Sequence, residues 1–293
     1  MNNNLLFTVV IPTYNHAHLI KRCLDSVVNQ SVDNWEAIVV NNYSQDNTIE
    51  VVESYNDSRI RLINNLNNGI IAVSRNKGID EARGEWICFL DSDDWWSSDK
   101  LESCLLYLTD FDILYHDLYM YNSNGSMWGR KVHGRKLSGN ITRDLIVNGN
   151  CIPNSSVIVR KEYIQKINGF SENKELIAVE DSDCWLRLAE QTTRFKYLPQ
   201  CLGYYWIGNN VSVSIKQIER EQELLGQHIL KLNEEDQFLA RKNAIYKQAR
   251  IYHKLGMYQN AREEYIRCIE IKKIKRTILI CILFCLTLLR IVL

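Results

Sequence analysis

Four apolar runs in the first ninety residues, each followed by a polar cluster, restrict what this chain can fold into more than any other feature. The runs are "LLFTVVIP", "WEAIVVNN", "RIRLIN" and "EWICFLD". Between them stand "HLIKRCLDSVVNQ", "DNTIEVVESYN" and "IIAVSRNKGIDEA", whose apolar residues recur at helical spacing. Strand-length runs alternating with helical periodicity on short connections predict a parallel sheet with right-handed crossovers. Ligands of such sheets sit beyond the carboxyl ends of the strands. The clusters "PTYN", "NNYSQD" and "DSDD" fall at the ends of the first, second and fourth strands. A core would reject such residues at any one place, and a single binding crevice accounts for all three.

The fourth run continues as "WICFLDSDDWW", which sets three carboxylates within four positions. Asp91 and Asp93 are two residues apart, so on an extended segment their side chains point the same way. Like charges that close repel unless a cation or solvent intervenes. Hard carboxylate oxygens suit Mg²⁺ or Mn²⁺, which keep few protein ligands and take other positions from substrate phosphates. The plainer alternative is a solvated turn that caps the next helix through Asp94 or Ser97. A second acidic stretch, "VEDSDCWLRLAE", places Glu180, Asp181 and Asp183 at a predicted helix start, where the dipole favours carboxylates. Helix capping is preferred for Asp183, with Arg187 as its partner one turn on.

Composition narrows the partners. Lys+Arg and Asp+Glu are balanced at 35 each over 293 residues, which lacks the basic footprint of a nucleic-acid binder. Nine cysteines without a CxxC pair argue for reduced thiols, not a disulfide framework or zinc site. "MNNNLLFTVVIPTYN" shows no basic region followed by an apolar one, so no signal peptide is expected and the globular part is placed in the cytosol.

Taken in order, "VVIPTYNHAHLIKRCLDSVVNQS", "RNKGIDEARGEWICFLDSDDWW" and "VEDSDCWLRLAE" resemble the family-2 inverting glycosyltransferases of GT-A type, over roughly Phe7 to Ser214. The resemblance implies an α/β fold, a Rossmann-like mixed sheet flanked by helices. It also implies transfer of a sugar from a nucleotide-sugar, usually a UDP-sugar, with a divalent metal and inversion at the anomeric carbon. Carried over residue by residue, it puts Pro12, Tyr14 and Asn15 on the base and ribose pocket and Arg75 beside the nucleotide. Asp91, Ser92 and Asp93 form the DxD that reaches ribose and metal-bound diphosphate, Asp93 and Asp91 being the metal ligands. Asp181 becomes the general base, with Glu180 beside it on the sugar or acceptor side. A positioned carboxylate in that role contributes on the order of 10²–10⁴ in rate.

Two departures stand out. The family's usual Asp-Asp-Gly-Ser is replaced by Asn41-Asn42-Tyr43-Ser44. Amides still donate and accept, so nucleotide contact through Asn41 and Asn42 is expected, with the choice of base left open. Tyr43 in place of Gly implies that this loop avoids a backbone conformation only Gly tolerates. At "YYWIGNNVSVS", Trp206, Asn209 and Asn210 stand where many relatives carry a histidine, so no third metal ligand is assigned. Asn150, Pro153 and Asn154, in a loop ahead of a β-rich run, are candidates for contacting donor sugar or acceptor, or form an ordinary turn. Trp95, with Trp96 and Trp185, could stack on a sugar face, although at least one of the three belongs in the core. His116 and Asp117 match no metal spacing and are read as structural.

The last eighty residues differ. "NAIYKQARIYHKLGMYQNAREEYIRCIEI" resembles one tetratricopeptide-type hairpin turning at Gly256, a spacer or a protein-binding element. "TILICILFCLTLLRIVL" carries Arg290 as its only charge and follows Arg267, Lys272, Lys273, Lys275 and Arg276 against Glu270 alone. As a helix it would span roughly 26 Å, the short edge of a bilayer core, and cations beside it favour an anionic leaflet. The expected organisation is therefore a GT-A domain over 1–214, a helical extension over 215–276 and a membrane-associated helix over 277–293. The expected location is the cytoplasmic face of the cell membrane, with a glycan or lipid-linked oligosaccharide as acceptor. Two alternatives remain: a nucleotidyltransferase using the same crevice, with no need of Asp181, or a membrane-tethered scaffold with a decayed donor site.

Overall fold

The computed structural model describes residues 5–208, 214–268 and 274–291. They form two compact units. The first comprises Met1–Ser138, Cys151–Lys174 and Glu180–Gly208; the second comprises Gly139–Asn150, Glu175–Val179 and Asn209–Leu293.

In the first unit the expected alternation is present: β1 (Phe7–Thr13), α1 (Ala17–Val28), β2 (Trp35–Asn41), α2 (Thr48–Glu53), β3 (Ile60–Asn64), α3 (Ile71–Glu81) and β4 (Trp86–Phe89). There follow β5 (Trp95–Trp96), α4 (Lys100–Leu105), β6 (Ile113–Asn122) and β7 (Gly125–Val132). After α5 (Ile141–Asn148), which belongs to the second unit, come β8 (Ile158–Arg160), α6 (Lys161–Lys166), α7 (Glu180–Ala189) and β9 (Phe195–Trp206). Strands β3, β2, β1 and β4 run parallel in that order, and β8 then joins β4 antiparallel. The sheet continues through β6 and β9 to β5, so it is mixed beyond its parallel half. The segment expected to be β-rich after Asn154 holds only the three residues of β8 before turning helical.

Burial explains the sequence pattern. All seven residues of β1 and of β2 are buried, as continuous apolar strands covered on both faces should be. Helix α1 covers them with Leu19, Ile20, Cys23, Leu24 and Val27, one stripe of its surface.

The second unit adds α8 (Ile215–His228), α9 (Glu234–Lys254), α10 (Tyr258–Cys268) and α11 (Ile274–Leu288). Asn233 caps α9 by accepting from the Asp236 N–H, and three acids fill the first turn, complementing the dipole. Gly256 has φ +71°, the left-handed turn that reverses the chain into α10 as the hairpin reading requires. Ala249, Ala261, Tyr265, Cys268, Ile280 and Leu283 form its core. Helix α5 docks on α9 through the Arg143–Asp236 ion pair and a bond from Asn243 to the Val147 carbonyl. Among the described residues no helix is long and apolar enough to cross a membrane.

Candidate active site

Register brings the strand ends together. Thr13 of β1 lies opposite Asn41 of β2, and Val10 lies opposite Phe89 of β4, so the polar clusters leave one edge of the sheet. Arg75 joins them to α7. Helix α3 presses so closely on β1 that a Cβ on Gly78 would collide with Val10, and this approach carries Arg75, one turn earlier, into the interior. Its Nη1 donates to Glu180 Oε1 at 2.7 Å and its Nη2 to Asp91 Oδ1 at 2.8 Å. Asp91 Oδ1 also accepts from Asn154 Nδ2 at 3.3 Å, while the Asp91 N–H donates to Ser155 Oγ at 3.1 Å. One buried guanidinium thus ties the carboxylate after β4 to the first residue of α7.

The neighbouring acids are under electrostatic pressure. Burial, and next the charge of Asp91, pushes Asp93 up to about 6. Asp94 is fully buried and raised for the same reasons, burial first and then Asp93 and Asp91. Its Oδ1 accepts from the Trp206 N–H at 2.8 Å, so it fastens the turn to β9 and does not cap a helix; nor does Ser97, whose Oγ has no partner. Asp181 is half-buried, with Oδ1 accepting from the Ser182 N–H at 2.6 Å. Burial, and next the adjacent Glu180, pushes it up to about 7, the range in which a carboxylate can act as a base near neutrality. Asp183 forms the expected pair with Arg187, at 2.7 Å.

Several expected contacts are placed differently. Asn41 is buried, with Nδ2 donating to Asn64 Oδ1 at 2.7 Å and Oδ1 accepting from Ser44. It holds the loop and does not present its amide to a nucleotide; Asn42 Oδ1 likewise accepts from the Asn67 N–H. Pro12 is buried inside β1, opposite Val40. Tyr43 adopts φ +53°, so the loop does use the left-handed conformation, with a tyrosine bearing its strain. Tyr14 remains half exposed, and Asn15 bonds the loop through Ser44 and Gln45. Trp95 cannot stack on a sugar as placed: Tyr204 covers one face at 4.8 Å and the Arg22 guanidinium lies 3.6 Å from the ring centroid, which requires the other face. Trp185 packs among Phe89 and Phe170, and Trp96 donates to the Ser155 carbonyl, so all three tryptophans are structural. Asn150 falls in the second unit. Asn209 and Asn210 lie outside the described residues.

Two residues went unnoticed in the sequence. Arg22 Nη2 donates to the Asp93 carbonyl at 2.9 Å, and its guanidinium lies between the Trp95 and Trp206 rings. His16 Nδ1 pairs with the buried Ser92 Oγ at 2.8 Å; burial, and next His18, lowers its pKa and keeps the imidazole neutral. His16 directly follows "PTYN" and could have been found there; Arg22 carries no local signal.

The residues fit a divalent cation. The charge of Asp91 raises the cost of ionising Asp93, which a cation would reverse, and the buried Oδ1 of Asn154 beside Asp91 has no partner.

A parallel half-sheet continued as a mixed sheet, flanked by helices and with polar loops at the carboxyl edge of its strands, defines a fold of the GT-A type. The model of glycosyl transferase family 2 matches residues 8–168, more than half of the chain, and the chain belongs to that family; it is a glycosyltransferase. It is 28% identical to TuaG, a Bacillus subtilis glycosyltransferase assigned to teichuronic acid biosynthesis, over 70% of this chain and 80% of that one. It is 34% identical to WfgD of Escherichia coli, a UDP-Glc:α-D-GlcNAc-diphosphoundecaprenol β-1,3-glucosyltransferase, over 47% of this chain and 55% of the relative. The crystal structure of Staphylococcus aureus TarS 1-349 in complex with UDP-GlcNAc superposes with a TM-score of 0.61 at 19% identity, covering 96% of this chain and 81% of that one.

Proposed function

We propose that the chain moves a sugar from a nucleotide-sugar, above all a UDP-sugar, to a hydroxyl of a glycan or lipid-linked oligosaccharide by a single displacement with inversion. The observation that supports this reading most is Arg75, which bridges Asp91 after β4 to Glu180, the residue next to Asp181. In the step, the acceptor O–H proton passes to the Asp181 carboxylate as the acceptor oxygen bonds the anomeric carbon. The bond to the diphosphate breaks with its electron pair going to the leaving UDP. Mg²⁺ or Mn²⁺ held by Asp91 and Asp93 would neutralise charge growing on that diphosphate. Arg75 orients Asp91 through its Nη2, and the neutral His16 holds the Ser92 hydroxyl. The names of WfgD and TuaG support a UDP-sugar donor and a bacterial surface polysaccharide as the setting.

The test is thermal stabilisation by a panel of nucleotide-sugars with Mn²⁺, alongside Asp91→Asn and Asp93→Asn. Binding at a hundredfold excess over Kd adds roughly 2.7 kcal/mol to stability. A metal-dependent shift with one UDP-sugar, lost in both variants, identifies the donor; release of UDP, not of pyrophosphate, separates glycosyl from nucleotidyl transfer. No shift with any nucleotide returns the scaffold reading to the front.

A further inference from the structure

Helix α11 has two incompatible faces. Ile280, Leu283 and Thr287 are buried within the helical unit, where Ile280 and Leu283 pack with Tyr265 and Cys268. The outward side, together with the first residue after the helix, carries Leu279, Cys281, Ile282, Cys285, Leu288 and Leu289, all exposed and none charged. The end of the helix is pinned to the hairpin. Arg262 donates to the Thr287 carbonyl at 3.3 Å, Tyr258 to the Arg290 carbonyl at 2.8 Å, and His253 Nε2 to the Ile291 carbonyl at 2.8 Å. A helix held along one side and at its end cannot also thread a bilayer, and its 15 residues span only about 22 Å. Yet an apolar outward face of this kind is not left to water. The sequence immediately before and at the start of this helix sets Arg267, Lys272, Lys273, Lys275 and Arg276 against Glu270 alone.

We infer that the outer face of α11 docks flat on an anionic lipid surface, with the helix lying in the interfacial plane. Apolar side chains enter the boundary between headgroups and acyl chains, and the excess of cations in the sequence over 267–276 favours an anionic lipid over a neutral one. This inference is independent of the transfer chemistry.

The test is co-flotation of the full chain with phosphatidylcholine vesicles with and without phosphatidylglycerol. Binding is expected to the anionic vesicles, to weaken with salt, and to fall roughly tenfold or more in Ile282→Ser/Leu289→Ser. Circular dichroism checks that the variant is folded. Ile282→Trp, which keeps the face apolar and adds an interfacial anchor, is expected to bind more tightly. The inference is overturned if the wild type stays with lipid-free protein, if the serine variant floats as the wild type does, or if Ile282→Trp leaves binding unchanged. It is equally overturned if ultracentrifugation shows a dimer that the serine variant dissolves while vesicles bind neither form, because a second copy then covers the face.

Discussion

The two units handle polar groups in opposite ways. Among the described residues, every buried side-chain polar atom without a partner lies in the first unit except Gln217 Oε1. The first unit buries Arg75 between two carboxylates and packs Asp94 beside Asp93. It also encloses Lys100 completely, with Nζ 3.3 Å from the Trp96 ring centroid, where burial pushes the amine down to about 8. The second unit pairs its charges nearer water, in Arg143–Asp236, Lys247–Glu221 and Arg267–Glu264, and fills its hairpin core with Ala, Tyr, Cys, Ile and Leu. Unsatisfied groups concentrate in the unit that carries the candidate site, and a helical hairpin can be built from pattern alone.

That contrast can be broken by experiment. The largest effect is expected from Asp181→Asn, which should slow transfer about 10²–10⁴-fold while leaving the nucleotide-induced thermal shift in place. A loss below tenfold would remove the base role. Next, Tyr265→Ala should cost about 3–5 kcal/mol in the helical unit. Calorimetry should then show one transition lowered and the rate on a soluble acceptor unchanged; a single transition moving as a whole would show one cooperative body. Asp93→Asn should stabilise. With a folded pKa of about 6 against an unfolded value near 4, the native state holds a proton that the unfolded chain releases in that window. Stability therefore falls as pH rises through it, and the penalty is complete above it. The variant should gain on the order of 2 kcal/mol at pH 7.5, gain nothing at pH 4, and lose transfer. The smallest effect is expected of Tyr43→Gly, which relieves a left-handed tyrosine and should raise stability by about 1 kcal/mol, read from the melting temperature.

The sheet's parallel half was legible because covered strands and their helices write their periods directly into the chain. Asp91, Asp93, Glu180 and Asp181 were legible as acids where apolar runs end. What the sequence hid was which side chains were already engaged. Asn41 looks available until Asn64 on the neighbouring strand is seen to hold it, and Trp95 looks like a sugar platform until Tyr204 and Arg22 are seen on its faces. Arg22 meets Asp93 across 71 positions of sequence. In the last helix, hydropathy registered the apolar residues but not that every third or fourth one turns towards α10.

The sandwich of Arg22 between Trp95 and Trp206 gives the molecule an optical readout of its own. The same guanidinium holds the Asp93 carbonyl, so a ligand that shifts the loop over 91–94 must also disturb two indole environments. Donor binding should therefore be visible as a change in tryptophan emission without any attached dye, and Arg22→Lys, which keeps the charge but cannot lie flat between the rings, should dull that signal.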